Sequence, residues 1–340
     1  MRIGRHTFEY QNRPEVIETS AIAGPQEMDG PFKNYFKYYL TDDTFGQDTF
    51  EKAEREMMVF VIKNVLEKSK LNSADVDVFI GGDLLNQIIS TSYAIRQFSI
   101  PYLGIYSACA TYVEAMLIAA AMVDSGFRKN AICCTSSHFS SAERQYRFPL
   151  ELGTMRTPGS QWTVSGSGAC LISKSKEKKY PYLKYATIGR VVDYGIEDTN
   201  NMGAAMAPAC ADTIYHHFKE TGLTLSDYDK IVTGDLGILG SNILIDLLAE
   251  KGYDIGGMHM DCGAEIYTHK PRLHQGGSGA AASALVFNCF LFDKLLKGEY
   301  RRILFVATGA LLSPTATFQG DSIPGIAHSV AIHAPNYRKG

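Results

Sequence analysis

Two stretches far apart in this chain are copies of one another, and any fold must accommodate both. Leu71-Asn-Ser-Ala-Asp-Val-Asp-Val-Phe-Ile-Gly-Gly-Asp-Leu84 aligns without gaps on Leu223-Thr-Leu-Ser-Asp-Tyr-Asp-Lys-Ile-Val-Thr-Gly-Asp-Leu236. The match sets Asp75 on Asp227, Asp77 on Asp229 and Asp83 on Asp235. Each copy reads as a turn followed by a short buried strand. A second pair aligns Arg128-Lys-Asn-Ala-Ile-Cys-Cys-Thr135 on Arg301-Arg-Ile-Leu-Phe-Val-Ala-Thr308, a basic pair leading into an apolar strand. A long apolar helix is predicted just before each member of this pair, over 110–125 and over 280–297. Helices apolar on most faces belong between layers. Helices and strands alternate, as in α/β proteins. The chain is therefore expected to form two pseudo-repeated halves, 1–178 and 179–340, with the apolar helices central. The basic stretch Ser173-Lys-Ser-Lys-Glu-Lys-Lys-Tyr-Pro181 serves as the connector.

With 340 residues, 45% hydrophobic, such a chain buries a substantial core. A net charge of -3 argues against nucleic acid as a partner, because phosphate binding calls for a basic excess. The first ten residues lack the apolar core of a signal peptide, so synthesis and retention in the cytoplasm are expected. Seven cysteines without a Cys-x-x-Cys pair point to free buried thiols rather than disulfides or zinc. His216 and His217 are adjacent on a helix and point different ways, so they cannot share a metal. His259 and Asp261 share a strand face without a further ligand.

Cys109 stands apart from the other cysteines. In Ile105-Tyr-Ser-Ala-Cys-Ala110 it sits where a strand gives way to the first apolar helix, among small residues. Unpaired N–H groups and the dipole at a helix start favour a thiolate, so this position suits a nucleophile. A buried structural cysteine is the alternative. The corresponding place in the second half is Gly276-Gly-Ser-Gly279, an anion-friendly nest lacking the Lys-Ser/Thr ending of a P-loop.

The duplication, the Ser107-Ala-Cys-Ala110 turn and the Gly276-Gly-Ser-Gly-Ala-Ala-Ala-Ser283 loop together resemble the thiolase superfamily, notably condensing enzymes of the ketoacyl synthase III type. Gly81-Gly-Asp-Leu-Leu-Asn-Gln-Ile-Ile89, Ala142-Glu-Arg-Gln-Tyr-Arg-Phe-Pro149, Met202-Gly-Ala-Ala-Met-Ala-Pro208 and Phe305-Val-Ala-Thr-Gly-Ala-Leu-Leu-Ser-Pro314 narrow the resemblance to the stage V sporulation AD family. The resemblance implies a thiolase-like αβαβα architecture and a homodimer. It also implies binding of dipicolinic acid (pyridine-2,6-dicarboxylate) during its uptake, with calcium, into developing spores. The partners it implies are sibling stage V sporulation membrane proteins, AA to AF, which would hold the chain peripherally at the inner spore membrane.

Condensing enzymes pair the cysteine with a histidine and an asparagine that stabilise an oxyanion. The resemblance sets Asp235 and Gly277 at those places, and Leu223 to Asn242 holds no histidine. A carboxylate beside Cys109 opposes the thiolate. The expectation is thus a catalytically degenerate binding protein without a cofactor. An active acyl-CoA transferase or condensing enzyme using Cys109, with His138 or His274 standing in, is the rival reading. A scaffold with an empty pocket is the third.

A flat aromatic dianion needs guanidinium donors and a stacking face. Arg144, Arg147 and Trp162 supply them, and Cys109, His138, Met206, Asp235 and Gly277 complete the expected ligand-binding set. Calcium bridging from Asp235 to the ligand is one way to relieve their repulsion.

Overall fold

The computed structural model describes residues 1–174, 177–268, 270 and 273–335. Part of the connector and His269, Pro271 and Arg272 lie outside them.

The strands are β1 (Thr7–Glu9), β2 (Glu15–Ala23), β3 (Val78–Gly82), β4 (Tyr102–Gly104), β5 (Asn130–Ser137), β6 (Trp162–Thr163), β7 (Gly166–Ser173), β8 (Tyr182–Thr187), β9 (Lys230–Thr233), β10 (His259–Asp261), β11 (Gly277–Ser278), β12 (Arg302–Ala310) and β13 (Gly325–His333). Among the described residues the main sheet runs β10-β9-β12-β13-β8-β2-β7-β5-β3-β4, with β1 paired to β8. Read from either end, this order follows the same path through the two parts of the chain. The two parts meet where β8 pairs with β2, Glu15 opposite Tyr182, and with β1 over Thr7 to Glu9.

The duplication is visible atom by atom. Asn72 and Asp75 form a capping box ahead of β3, and Thr224 and Asp227 form one ahead of β9. Asp77 Oδ2 accepts the N–H groups of Lys129 and Asn130 at 2.7 and 2.9 Å; Asp229 Oδ2 accepts those of Arg301 and Arg302 at 2.6 and 2.8 Å. These carboxylates tie one strand to the entry of its neighbour in each copy. Strand register corrects the second alignment by one residue. Val78 pairs with Ala131 and its equivalent Lys230 pairs with Ile303, so Ala131, not Asn130, is the counterpart of Ile303. Similarity of basic residues outside the strand had misled the alignment, since hydrogen-bonded register fixes equivalence.

Outer helices α1 (Phe50–Ser69) and α5 (Met202–Thr221) cover the two parts of the sheet, joined by α2 (Ile89–Ile95) and, in the second part, α6 (Gly237–Ala249). The short helices α4 (Phe139–Tyr146) and α7 (Cys262–Ile266) carry loops of the site. Between the layers lie α3 (Thr111–Asp124) and the run beginning with α8 (Ala280–Val286), which continues through a π-helical turn into α9 (Phe292–Leu296). Helix α3 touches β3 and β5 on one side and β12 and β13 on the other. Alternate residues of β5 divide accordingly: Ala131 and Cys133 face the central core, Ile132 and Cys134 the outer one. The expected layered α/β architecture is what forms. Within the π turn Asn288 bonds Tyr112 across the two central helices (Asn288 Nδ2 to the Tyr112 hydroxyl, 2.8 Å).

One buried acid makes the fold pH-sensitive. Glu27 Oε1 accepts the Ser165 N–H and the Tyr267 hydroxyl, while Oε2 is buried without a partner among the described residues. Burial raises its pKa from 4.5 to about 7. The folded protein therefore holds a proton that the unfolded chain releases above the ordinary carboxylate pKa. Stability contributed by this site is present in acid and falls as pH rises across 4.5 to 7. Glu27→Gln, always neutral, is expected to remove a decline of up to about 3 kcal/mol from the pH profile. Urea unfolding at several pH values checks it; an unchanged slope in the variant removes Glu27 as its source.

Candidate functional site

Cys109 lies in the turn between β4 and α3, one residue after Ala108, whose φ of 49° is left-handed. Thr111 fixes the turn: its hydroxyl accepts the Ser107 N–H at 3.0 Å and donates to the Ala108 carbonyl at 2.7 Å. The thiol is only 7% exposed and lies 3.9 Å from the Ser278 hydroxyl. Ser278 in turn donates to Asp235 Oδ2 at 3.0 Å. Asp235 also accepts the Gly279 N–H at 2.9 Å and the Thr308 hydroxyl at 2.8 Å. Thus the two apolar-helix starts converge, and a buried carboxylate joins them from below.

The electrostatics run against a nucleophile. Burial pushes the Cys109 pKa well up, and the Asp235 charge pushes it further. The helix start expected to favour the thiolate is outweighed by desolvation. Burial also raises the Asp235 pKa above its ordinary value, although its hydrogen bonds oppose the shift.

Above the thiol is a partly open pocket with about 610 Å³ of unfilled space, its mouth included. Its walls are largely apolar and aromatic, from Leu84, Tyr106, Tyr146, Phe148, Met202 and Leu312. Its charged residues are Glu143 and Arg147, both on or next to α4, and Thr163, Asn200 and Ser278 add polar atoms.

Arg147 sits at the C-cap of α4, where the backbone turns extended. It binds Glu143 through Nε and Nη2, and Nη2 donates to the Gln161 carbonyl at 2.8 Å. Arg156 approaches the same Glu143 at 3.4 Å while covering Trp162. Glu143 is held by Thr163, whose N–H and hydroxyl reach Oε1 at 3.2 and 2.9 Å.

Of the residues expected from sequence, Cys109 and Arg147 reach this pocket. Arg144 does not: it pairs with Glu51 and lies over Phe50. Three residues apart on a helix would share a face, but the helix ends before Arg147 and the two guanidiniums diverge. His138 caps α4, its Nδ1 accepting the Ser140 N–H at 3.1 Å and its Nε2 meeting the Asp43 carbonyl at 2.7 Å. Both ring nitrogens are thereby committed. Trp162 stacks on Phe139 with centroids 4.0 Å apart, outside the lining. Met206 is fully buried in the outer core of the second part. Met202, one turn earlier on the same face, reaches the pocket instead.

Gly277 also fails to face the thiol. A Cβ there would point at Val164, Ile266 and Tyr267, 2.7 to 3.2 Å away. Its neighbour Ser278 faces Cys109, because successive residues of an extended segment point oppositely. Asp235 lies beneath the lining rather than in it. Glu143, Met202 and Ser278 were missed, though each lies in or beside a sequence segment already singled out.

Against known proteins, the family model for stage V sporulation protein AD (SpoVAD) matches residues 4–333. Stage V sporulation protein AD of Bacillus subtilis (strain 168) is 43% identical over 327 residues, covering 96% of each chain. Among solved structures, OleA of Xanthomonas campestris with bound cerulenin superposes with a TM-score of 0.63 at 12% identity, covering 96% of this chain and 98% of that one. The 3-oxoacyl-[acyl-carrier-protein] synthase III of Aquifex aeolicus superposes at 0.55 with 14% identity, covering 94% and 99%. These structures show the thiolase-like fold. The near end-to-end match shows the family: this chain belongs to the stage V sporulation protein AD family.

Proposed function

We propose that the pocket over Cys109 binds dipicolinate and does no chemistry on it, in uptake of that acid with calcium by developing spores. The observation that carries this reading is Arg147, a guanidinium in the wall of a largely apolar and aromatic pocket, with Arg156 behind the lining. Two guanidiniums, Arg147 and Arg156, share one carboxylate, Glu143, so the cluster keeps one positive charge. Arg147 Nη1 makes no hydrogen bond within the described residues, and a ligand carboxylate can take it. Aromatic and aliphatic walls suit a flat ring. The remaining negative charge of the dianion is the part calcium would neutralise.

The raised pKa of Cys109 and the place of its partner Asp235, which the resemblance sets where condensing enzymes carry histidine, speak against acyl transfer. No helix among the described residues is long and apolar enough to cross a membrane, so contact with the sibling membrane proteins AA to AF at the inner spore membrane would be peripheral. A homodimer fits the exposed edge strand β4, where Leu103 is 41% exposed.

Calorimetry with dipicolinate tests the reading. Arg147→Ala is expected to weaken binding roughly 10- to 100-fold, the range of one or two charge-assisted hydrogen bonds. Arg144→Ala, which lies outside the pocket, is expected to change it less than about threefold. Equal loss in both variants removes the assigned clamp. Binding of equal strength with calcium and with a chelator removes calcium from the site. Stoichiometric labelling of Cys109 by acetyl-CoA would instead support the enzyme, and neither heat nor label the scaffold.

A further inference from the structure

Outside the Cys109 pocket, His6, His216 and Glu220 gather at a shallow surface pocket also lined by Arg5, Arg190 and Lys219. His216 and Glu220 are one turn apart on α5 and share a face. His6 comes from the segment leading into β1. That segment is drawn onto the helix by the Glu220 carboxylate, which accepts the N–H groups of Arg5, His6 and Thr7 at 2.7 to 3.2 Å. Gly4 makes the approach possible, since a Cβ there would lie 2.2 Å from the carboxyl carbon. One potential ligand atom from each of the three residues lies within 4.8 Å of the others.

We infer that His6, His216 and Glu220 form a binding site for a transition-metal dication of the zinc class. Two imidazoles and a carboxylate are the donor set such ions prefer, while calcium and magnesium prefer oxygen alone. The His6 ring is already oriented by its other nitrogen, and the other nitrogen of His216 faces a carboxylate. His6 Nδ1 lies 3.1 Å from the Ile188 carbonyl, which leaves Nε2 for the metal. His216 Nε2 faces Asp212 Oδ1 at 3.7 Å, which leaves Nδ1.

Of the three neighbouring cations Arg190 is neutralised by a carboxylate, while Arg5 is exposed to solvent. Arg190 donates to Asp212 from Nη2 at 2.8 Å and from Nε at 3.0 Å, and Lys219 lies over Tyr215. The two imidazoles stack at 4.0 Å, so ligation requires one ring to tilt, a small cost for a half-buried side chain. The bound ion would staple the segment before β1 to α5, and its binding energy would appear as folding stability.

The test uses tag-free, full-length protein dialysed against a chelator, titrated with zinc chloride by calorimetry and with cobalt(II) by visible absorption. One equivalent of zinc is expected to bind saturably and to raise the melting temperature. The cobalt spectrum should show ligand-field bands without sulfur charge-transfer. His6→Ala and His216→Ala are each expected to weaken zinc binding at least tenfold and to lose most of the zinc-induced rise in melting temperature, each compared with its own metal-free form. Glu220 is left intact because it also holds the segment leading into β1. Absence of saturable binding at one equivalent overturns the inference. So does binding unchanged in both variants, or a thiolate signature in the cobalt spectrum.

Discussion

Replacing Asp235 by alanine is expected to destabilise the protein by about 2 to 4 kcal/mol, the scale for leaving buried donors without an acceptor and a void beside them. The carboxylate is 1% exposed and accepts Gly279 N–H, Ser278 hydroxyl and Thr308 hydroxyl together. Alanine leaves a buried backbone N–H with no acceptor and a void between the two helix starts. Asp235→Asn keeps an acceptor and should cost less than half as much. The asparagine variant also removes the charge beside Cys109, so alkylation of that thiol by iodoacetamide should become faster. Denaturant midpoints and labelling rates measure the two effects. A cost under about 1 kcal/mol for alanine would mean that the network does not anchor the Ser278–Gly279 turn.

Gly277→Asn, which writes the residue of a condensing enzyme into the place the resemblance suggests, is expected to cost about 3 kcal/mol or more. The new Cβ would meet Val164 Cγ2 at 2.7 Å and Ile266 Cγ2 at 2.9 Å, so the core must move. Its amide would then enter apolar surroundings without assured partners. It would point away from Cys109, and no acyl transfer should appear. Ser278→Asn is the substitution that directs an amide toward the thiol. If Gly277→Asn folds with wild-type stability, the side-chain direction assigned to this loop is wrong.

Much of the architecture was legible because duplication is a property of sequence. The aspartates at 75, 77, 227 and 229 recur as capping boxes and strand ties because the same local geometry needs the same acceptor twice. The apolar helices were legible for a similar reason, since a chain with alanine and leucine on most faces has no stable place except between layers. Registers were less accessible. The one-residue error at the second repeat arose because Arg128 and Arg301 look alike but lie just outside the strands that fix equivalence.

The pocket was half legible. Cys109 and Arg147 followed from spacing and charge, but Arg144 could not be separated from Arg147 without knowing where α4 ends. His138 carries the chemistry of a ligand and works as a helix cap, a choice made by Asp43, which is distant in sequence. The His6 cluster was invisible, because its members are about 210 residues apart and a helix alone offers only His216 and Glu220.

Sequence by itself determined the repeat, the layer order and the family, since these depend on periodicity and residue identity that survive in one dimension. Tertiary structure alone decided which side chains face the thiol. It set Ser278 rather than Gly277 against Cys109, turned Arg144 away, and buried the sulfur beside Asp235. Desolvation at that point outweighs the helix dipole, and desolvation is a property of the packed surroundings that no local stretch of sequence contains.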